Sequence, residues 1–333
     1  MQLKAAVIGA GSWGTTVASI MSANCPTTIW ARDPQTTRDI NENNANSRYL
    51  PGLKLNPALK ATDDLAAVVA SADLIVMGVP SKAMRQTLQA IKPHIRAWVP
   101  IVSLAKGFEP ETRYRMTQII AEILPGHPPG VLTGPNLARE IVQGYAAASV
   151  IAVEDESIVA RLQRVFHSNL FRVYRSTDMV GCELGGALKN VIAIAAGMGD
   201  GTGAGENTRS AVITRGLAEI TRLGVAMGGE PQTFAGVAGL GDLMATCTSS
   251  LSRNHHVGVE LGKGRTVAEI IEEMNQVAEG INSSKIVMEL AEEHGVEMPI
   301  AREVYAVCHE GSTARRAFRG LLRMESQSEA EPG

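Results

Sequence analysis

Cysteine is scarce in this chain and follows no pairing pattern. The 333 residues contain four cysteines, Cys25, Cys182, Cys247 and Cys308. No two of them form a CxxC pair, and no histidine stands at zinc-ligand spacing from any of them. The sequence therefore excludes a short disulfide scaffold and predicts a protein of a reducing compartment.

Long hydrophobic runs and a leader segment are also missing. No span reaches ~18 uninterrupted apolar residues, and the longest charge-poor stretch, 123–138, carries four prolines. The N-terminus passes straight into a strand-like segment, without the basic and apolar regions of a signal peptide. We therefore expect a cytoplasmic protein with no integral membrane association.

Charge of one sign is lacking, and aromatic residues are few. Lysine and arginine number 31 against 34 acidic residues, which leaves a net charge of −3. No general field favours nucleic acid, so any anion must be bound locally. Aromatic residues make up 4%, whereas glycine numbers 33, roughly a tenth of the chain against a usual ~7%. This excess predicts tight turns and close helix contacts.

The order of apolar segments predicts two domains. Strand-like runs at 3–8, 27–30, 74–79, 99–103, 131–133, 146–153 and 171–174 alternate with helical segments. This order predicts an α/β domain with a parallel, doubly wound Rossmann-type sheet at 1–178. Helical periodicity alone continues at 179–324, which predicts an all-α domain. The polar tail at 325–333 is expected to be disordered, and ligands of such sheets favour a cleft between domains.

Several helix starts are recognisable in the sequence. Thr62, before Asp63-Asp64, and Ser81 are typical of N-caps. Thr266 and Glu269 form a capping box before an apolar run, and a further helix is predicted over Glu183–Gly197. These starts divide the chain into helices of ordinary length.

The first strand runs directly into a glycine-rich turn, Gly9-Ala-Gly11-Ser-Trp-Gly14. In a strand–turn–helix context, GxGxxG is typical of dinucleotide binding: the first glycine permits the turn, the second admits the diphosphate, and the third lets helix and strand pack closely. The helix N-terminus then offers free N–H groups to the diphosphate.

Arg32 and Asp33 follow the second strand, and they leave the choice between NAD(H) and NADP(H) open. Asp33 could accept a hydrogen bond from a ribose 2′-hydroxyl, as NAD(H) requires. Arg32 could pair with a 2′-phosphate and so favours NADP(H). The alternative for Asp33 is a helix cap before Pro34.

Other polar residues stand at strand ends or among glycines. Lys106 follows the strand segment 99–103, and Asn136 follows Gly134 after the next segment, 131–133. Lys189 emerges from a small, uncharged helix face, where burial disfavours the charged form and suits proton exchange. Its alternative is a snorkelling side chain. Asp242 follows three glycines and could orient an ammonium or cap a helix.

Hydroxyl, guanidinium and amide groups are concentrated in Ser252-Arg253-Asn254. This inventory suits a phosphate monoester. The following His255 and His256 would face different ways on a helix and have no third ligand at useful spacing, so no metal site is expected.

The ordered set of motifs resembles the bacterial NAD(P)-dependent glycerol-3-phosphate dehydrogenases from Gly9 to about Val307. The motifs are GAGSWG (9–14), SLAKG (103–107), GPNLARE (134–140), GGALKNVIA (185–193), GVAGLGD (236–242), SRN (252–254) and VAEG (277–280). The resemblance implies reversible hydride transfer between glycerol 3-phosphate and dihydroxyacetone phosphate, which would supply phospholipid synthesis. It also implies a homodimer.

The resemblance assigns roles residue by residue. Beyond the three glycines, it implies cofactor contacts at Ser12, Trp13, Arg32, Lys106, Ala138, Arg253, Val277 and Glu279. It implies substrate contacts at Lys106, Gly134, Asn136, Lys189, Asp242, Ser252, Arg253 and Asn254. Lys189 would exchange the proton, with Lys106 and Asp242 as its catalytic partners.

Two residues depart from the family pattern, and two other functions stay open. Asn136 stands where Ser or Thr is common, and Leu137 where Phe is common, which leaves the contacts of that loop undefined. A related β-hydroxyacid-type dehydrogenase would need no phosphate-binding cluster. A nucleotide-sensing module would keep the fold without catalysis, against which the two lysines argue.

Overall fold

A computed structural model describes residues 3–274 and 278–322 of the chain. The chain divides into two compact units, the first ending at Met179 and the second beginning at Val180. The first combines a sheet with helices on both sides. The second is helical throughout its described residues. The predicted α/β and all-α fold classes are therefore confirmed.

The sheet of the first unit has eight strands in the described residues, in the order β3-β2-β1-β4-β5-β6-β7-β8. The strands are β1 Ala5–Ile8, β2 Thr27–Trp30, β3 Lys60–Thr62, β4 Leu74–Met77, β5 Ile101–Ser103, β6 Pro129–Thr133, β7 Ala147–Ala152 and β8 Phe171–Ser176. From β1 the chain adds β2 and β3 on one side of the sheet, and it then returns to add β4 and the later strands on the other side of β1. Such a switch point is where doubly wound sheets bind ligands.

Helices cover both faces of this sheet. They are α1 Ser12–Met21, α2 Pro34–Asn43, α3 Leu65–Ser71, α4 Met84–Ile91, α5 Met116–Ile123, α6 Ala138–Val142 and α7 Glu156–Phe166. Alternate residues of β1 enter opposite cores: Val7 packs with Val17 and Met21, whereas Ile8 packs with Met84. The near-continuous apolar strands of the sequence are explained by this double cover.

Two predicted helix starts are wrong. Thr62 ends β3, and Asp64 is the cap instead, since its Oδ1 accepts a hydrogen bond from Ala67 N over 2.9 Å. Strand β3 escaped prediction because it is a short edge strand whose sequence, Lys-Ala-Thr, has no apolar run. Ser81 opens a 3₁₀ turn, and the helix proper begins at Met84.

One strand pair departs from the predicted parallel sheet. β7 runs antiparallel to β6, with Leu132 opposite Ile151. The helix between them, α6, has five residues, which rise only about 7.5 Å. A parallel crossover must carry the chain back along the whole strand. Because α6 is too short for that, the chain re-enters the sheet at the end where β6 leaves it.

The second unit is built around α8 Met179–Thr202, which extends the helix predicted over Glu183–Gly197. The other helices are α9 Glu206–Ala226, α10 Pro231–Ala235, α11 Asp242–Thr248, α12 Arg253–Gly262, α13 Val267–Glu273, α14 Glu279–Glu293, α15 Pro299–His309 and α16 Ala314–Leu322. A π-helical turn, Val237–Gly241, precedes α11. The predicted capping box of Thr266 and Glu269 at α13 is confirmed.

Helix α8 is buried on all sides, as helices in the middle of a protein are. By length and hydropathy it is the one helix of the described residues that would be able to cross a membrane, but 89% of its apolar window is buried inside the protein. Every residue from 181 to 199 is buried. This burial is that of a core helix.

Helices α8 and α12 touch along two pairs of glycines. Gly197 and Gly201 of α8 face Gly258 and Gly262 of α12, with the Cα of Gly258 3.0 Å from where a β-carbon on Gly197 would lie. A β-carbon on Gly258 would collide with the carbonyl oxygen of Ile194. The glycine excess of the sequence thus permits a backbone-to-backbone helix contact that fixes where α12 begins.

Candidate active site

The glycine-rich turn after β1 has the shape that a dinucleotide needs. Gly9 has φ +112°, and a β-carbon there would lie 2.8 Å from Gly78 O. A β-carbon on Gly14 would collide with the carbonyl oxygen of Gly9, whereas one on Gly11 would meet no atom within 4 Å. Gly9 and Gly14 therefore close the turn, and Gly11 leaves the space above it open.

The helix that follows offers unpaired N–H groups at this open space. Helix α1 begins at Ser12, and its N-cap, Gly11, provides no side-chain cap. Its first N–H groups are thus free for the oxygens of a diphosphate. The cradle fits the cofactor that the sequence predicts.

Two further residues predicted to contact the cofactor lie on helices beside the turn. Trp13 stacks edge-on against Phe171, with ring centroids 6.0 Å apart, and its buried indole N–H has no hydrogen-bond partner among the described residues. Ala138 begins α6, and its carbonyl accepts from Thr16 Oγ1 over 3.5 Å. Ala138 therefore lies against α1, next to the glycine-rich turn.

At the end of β2, Asp33 acts as a helix cap. Its Oδ1 accepts from Gln35 N over 3.0 Å, and its Oδ2 lies 3.3 Å from Thr36 Oγ1. Of the two interpretations left open, the cap is the one that the structure contains. Arg32 is exposed beside it.

Lys106 and Gly134 come together at the carboxyl ends of β5 and β6. Lys106 Nζ donates to Gly134 O over 2.7 Å. Gly134 has φ +138°, and a β-carbon there would lie 3.0 Å from Ser149 Cα. The turn therefore requires glycine, and its carbonyl holds the lysine at the sheet edge.

Asn136 is fixed at one end and open at the other. Its Oδ1 accepts from Ser149 Oγ over 2.5 Å. Its Nδ2 is buried with no hydrogen-bond partner in the described part of the chain. A buried amide without a partner is costly unless a ligand accepts from it, so this atom is a candidate ligand contact.

Lys189 and Asp242 form a buried ion pair in the second unit. Lys189 Nζ lies 3.1 Å from Asp242 Oδ1, and the side chains are 5% and 2% exposed. Lys189 also donates to Thr246 Oγ1, whose hydroxyl donates to Asp242 O over 2.7 Å. Two of the three ammonium N–H groups are used by these described residues. The snorkelling alternative does not occur, since the ammonium is buried.

The π-helical turn brings Asp242 to Lys189. A β-carbon on Gly185 of α8 would lie 2.8 Å from Ala238 O. Only glycine therefore lets the turn approach α8 so closely, and Asp242 is the residue with which α11 begins. Its carboxylate serves the ammonium rather than capping the helix. π-helical turns are common at functional sites.

Cys247 follows Thr246 on α11 and is completely buried. Burial raises the pKa of its thiol to about 12, although the positive charge of Lys189 opposes that rise. The thiol stays protonated at neutral pH. It is therefore a packing residue of the site and no nucleophile.

The predicted phosphate-binding cluster stands at the start of α12. Ser252 is the N-cap, with its Oγ accepting from His255 N over 3.3 Å, and Arg253 is exposed in the first turn. Asn254 is buried: its Nδ2 donates to Asn190 Oδ1 and its Oδ1 accepts from Gly280 N, both over 2.9 Å. Asn254 thus joins α12 to α8 and α14.

His255 is paired with an acid. Its Nε2 lies 2.7 Å from Asp200 Oδ2, while Asp200 Oδ1 accepts from Arg209 Nε over 2.9 Å. This chain of contacts ties α12 to α8 and α9. Glu279 begins α14, half-buried; Val277 lies outside the described residues.

Three site residues were missed by the sequence interpretation. Asn46 donates to Ala10 O and to Thr15 Oγ1 at the glycine-rich turn. Thr246 and Asn190 contact Lys189 and Asn254 respectively. No local pattern marks any of the three, although Asn190 directly follows the lysine of interest.

Family models match both units. One described as NAD-dependent glycerol-3-phosphate dehydrogenase N-terminus matches residues 4–159, and its C-terminus counterpart matches residues 178–319. The chain belongs to the NAD-dependent glycerol-3-phosphate dehydrogenase family. The predicted resemblance is therefore confirmed.

Several known proteins are similar to this chain over nearly the full length of both partners in the comparison. A glycerol-3-phosphate dehydrogenase [NAD(P)+] of Sphingopyxis alaskensis is 60% identical over 100% of each chain. One of Mycobacterium avium is 55% identical over 96% of this chain and 94% of its own. The crystal structure of glycerol-3-phosphate dehydrogenase from Coxiella burnetii superposes with a TM-score of 0.91, at 35% identity over 97% and 99% of the two chains.

Proposed function

We propose that this family member interconverts sn-glycerol 3-phosphate and dihydroxyacetone phosphate with NADP(H) or NAD(H). The observation that carries the proposal is the buried Lys189–Asp242 pair, whose ammonium keeps one N–H beyond those given to Asp242 and Thr246. The names of the relatives, glycerol-3-phosphate dehydrogenase [NAD(P)+], support the substrate and the cofactor.

Residues 1–178, which make up all but the last residue of the first unit, are the proposed nucleotide-binding domain. Gly9, Gly11 and Gly14 make the cradle for the diphosphate, with Ser12 at the helix start. Trp13 and Ala138 border the same turn, and Arg32 follows the neighbouring strand β2. Bound nicotinamide supplies the hydride that reduces the ketone carbon. Arg253 and the segment with Val277 and Glu279 are assigned to the cofactor as well.

Residues 179–324, all but the first of which belong to the second unit, are the proposed catalytic domain. During reduction, negative charge develops on the ketone oxygen, and the free N–H of Lys189 donates a proton to it. Asp242 and Thr246 orient the ammonium so that this N–H is the one left over. In the reverse direction the neutral amine of Lys189 accepts the hydroxyl proton and becomes the ammonium again. Lys106, held by Gly134, supplies a further positive charge for the developing oxyanion.

The start of α12 is the proposed phosphate-binding element. Arg253 provides a guanidinium that suits a phosphate monoester, and the N-terminus of the ten-residue helix offers its N–H groups. Ser252 can donate its hydroxyl, and Asn254 has a second amide N–H. Binding energy at the phosphate orients the carbonyl that reacts elsewhere on the substrate. Asn136 Nδ2 is the proposed contact from the first unit.

The test is the loss of reduced-nicotinamide absorbance on mixing the protein with NADPH or NADH and dihydroxyacetone phosphate. Turnover is expected with the wild-type chain. Lys189→Ala is expected to lower kcat more than ~100-fold, the contribution of general acid–base catalysis, and to leave the cofactor Kd unchanged. Near-normal turnover of this variant would remove Lys189 from the role.

The phosphate assignment has its own test. Arg253→Ala is expected to raise KM for dihydroxyacetone phosphate, whereas dihydroxyacetone without phosphate should distinguish the two proteins far less. Equal use of both compounds by the wild-type protein would contradict a phosphate-binding site. Reduction of a β-ketoacid in place of dihydroxyacetone phosphate would favour the β-hydroxyacid-type alternative.

The cellular setting is part of the proposal. A homodimer in the cytoplasm, feeding glycerol 3-phosphate to phospholipid synthesis, agrees with the family to which the chain belongs. Light scattering of the purified chain gives its mass directly. A monomer at the concentrations used for the assay would contradict the dimer and leave the activity standing.

A further inference from the structure

A loop of the first unit, residues 44–50, is fastened to the glycine-rich turn. The side chain of Asn46 is 1% exposed and donates to Ala10 O over 3.0 Å and to Thr15 Oγ1 over 2.8 Å. Its backbone carbonyl accepts from Leu50 N over 2.8 Å, which closes the loop on itself. The loop is therefore built against the place where the cofactor's diphosphate is proposed to lie.

The same loop reaches the end of β2. Arg48 Nη1 lies 3.5 Å from Asp33 Oδ2, and its guanidinium sits over the ring of Tyr49, 5.4 Å from the centroid. Arg48 is 64% exposed in its side chain. Most of its N–H groups are thus open to water or to a ligand, while the ring of Tyr49 lies against its guanidinium.

Asp33 is engaged in the protein rather than free for a ribose. Its carboxylate caps α2 through Gln35 N and Thr36 Oγ1, and it accepts Arg48 from the other side. The neighbouring Arg32 is exposed and has no hydrogen bond or ion pair among the described residues. At this strand end the 2′-hydroxyl of the adenosine ribose is read. Arg48 contacts the carboxylate of Asp33 there, and the exposed Arg32 precedes Asp33 in the chain.

We propose that Arg48 is a second cation, beside Arg32, for the 2′-phosphate of NADP(H), and that it helps set the preference for NADPH over NADH. This inference rests on the proposed function, since it concerns the cofactor of the same site. Without Arg48, the charge of Asp33 offsets that of Arg32, and a dianionic 2′-phosphate gains little. With Arg48, Asp33 is neutralised and one positive charge remains.

The test compares NADPH and NADH, which differ only in that phosphate. Their Kd values are measured on the full chain without substrate, from the fluorescence of the bound nicotinamide. Arg48→Ala is expected to weaken NADPH roughly 3- to 10-fold, the range for one exposed charge-assisted contact, and to leave NADH unchanged. The effect should shrink as ionic strength rises.

Matched variants separate this role from a structural one. Arg38 is an exposed arginine of α2 whose guanidinium donates to Gln35 Oε1 over 2.7 Å, so Arg38→Ala should leave the ratio of the two Kd values unchanged. Asp33→Asn keeps a helix-capping residue and removes the negative charge, so it should tighten NADPH relative to NADH. Arg48→Lys should retain part of the preference.

An unchanged ratio in Arg48→Ala, or an Asp33→Asn variant that does not favour NADPH, would overturn the inference. A wild-type chain that binds both cofactors equally would also overturn it. Reduction of dihydroxyacetone phosphate at saturating cofactor is measured separately. Its absence would contradict the proposed function, while the ratio of Kd values would still decide the role of Arg48.

Discussion

Lys189 and Asp242 form an ion pair 3.1 Å long in which both side chains are almost completely buried. Removing two charges from water is costly, and their attraction repays the cost only while both are present. The protein retains this expensive arrangement between α8 and α11, at the head of a π-helical turn. The proton exchange proposed for Lys189 gives a reason for a charged pair at this place in the core.

Replacing one member of the Lys189–Asp242 pair is expected to destabilise the fold more than replacing both members. Lys189→Met leaves the carboxylate of Asp242 buried without its cation, which costs about 3–5 kcal/mol in comparable sites. The double variant Lys189→Met/Asp242→Asn buries no charge, so its free energy of unfolding should fall clearly less than that of Lys189→Met. Urea denaturation of both variants measures the free energy of unfolding.

The exposed pair Arg175–Glu156 is the control, because its atoms are also 3.1 Å apart while its side chains are 51% and 63% exposed. Arg175→Met should cost at most ~1 kcal/mol. Equal losses for Lys189→Met and Arg175→Met, or a double variant as unstable as the single one, would mean that burial of the pair has no energetic weight.

The glycine contact between α8 and α12 yields a second prediction. In Gly258→Ala the new methyl group would collide with the carbonyl oxygen of Ile194, which is backbone and has little room to move. Overpacking of this kind costs about 1–3 kcal/mol. Because α12 must shift, Arg253 and Asn254 move relative to Lys189, so KM for dihydroxyacetone phosphate should rise as well. Thermal unfolding and steady-state kinetics measure the two effects.

Gly205→Ala is the matched control for this substitution. Gly205 has a negative φ, −83°, and a β-carbon there meets no atom within 4 Å. Gly205→Ala should lower the free energy of unfolding by no more than about 1 kcal/mol, the range for a helix N-cap, and should leave KM unchanged. If Gly258→Ala behaves in the same way, the glycines do not set the position of α12.

A third prediction concerns the loop that carries Lys106. Arg85 on α4 donates from Nε and Nη2 to the two carboxylate oxygens of Glu109, over 2.7 and 2.8 Å. Glu109 follows Lys106 by three residues, and its side chain is 7% exposed. Arg85→Gln leaves that carboxylate buried without its cation, so the loop should loosen and kcat fall several-fold. Arg85→Lys should recover part of the lost kcat. In a chain that already carries Lys106→Ala, Arg85→Gln should lower kcat no further.

Local chemistry explains which parts of the fold were predictable. Gly9, Gly11 and Gly14 follow an apolar strand directly, so spacing within six residues was sufficient. The capping box of Thr266 and Glu269 is equally local. Strand β3 and the antiparallel β7 depend on which neighbours the sheet supplies, and the sequence of a three-residue edge strand does not contain that information.

The site divides in the same way. Lys189 could be singled out because its helix face is small and uncharged, yet its partner Thr246 lies 57 residues away. Asn46 anchors its loop to Ala10 and Thr15 across more than 30 residues. Such contacts exist only after folding. For Asp33 the sequence offered both interpretations, a ribose contact and a helix cap. The hydrogen bonds to Gln35 and Thr36 of α2 show that it is a cap.

The last prediction follows from Glu219, a carboxylate of α9 that is 1% exposed. It accepts from Ile300 N over 2.7 Å and from Ala301 N over 3.2 Å at the start of α15. Burial raises the pKa of Glu219 to about 7, despite these N–H groups and the nearby Arg222 and Arg215. In the unfolded chain the pKa is the ordinary 4.5.

Between pH 4.5 and 7 the folded protein therefore holds a proton that the unfolded chain has lost. Stability must fall as pH rises through this window, by up to ~1.4 kcal/mol per pH unit, and level off above it. Glu219→Gln keeps an oxygen for Ile300 N and cannot ionise, so this slope should disappear from its unfolding free energy. Glu272→Gln, which changes an exposed residue of α13, should leave the slope intact. Parallel curves for the wild-type and Glu219→Gln proteins from pH 5 to 7 would mean that Glu219 is ionised throughout, with α15 held by a full negative charge.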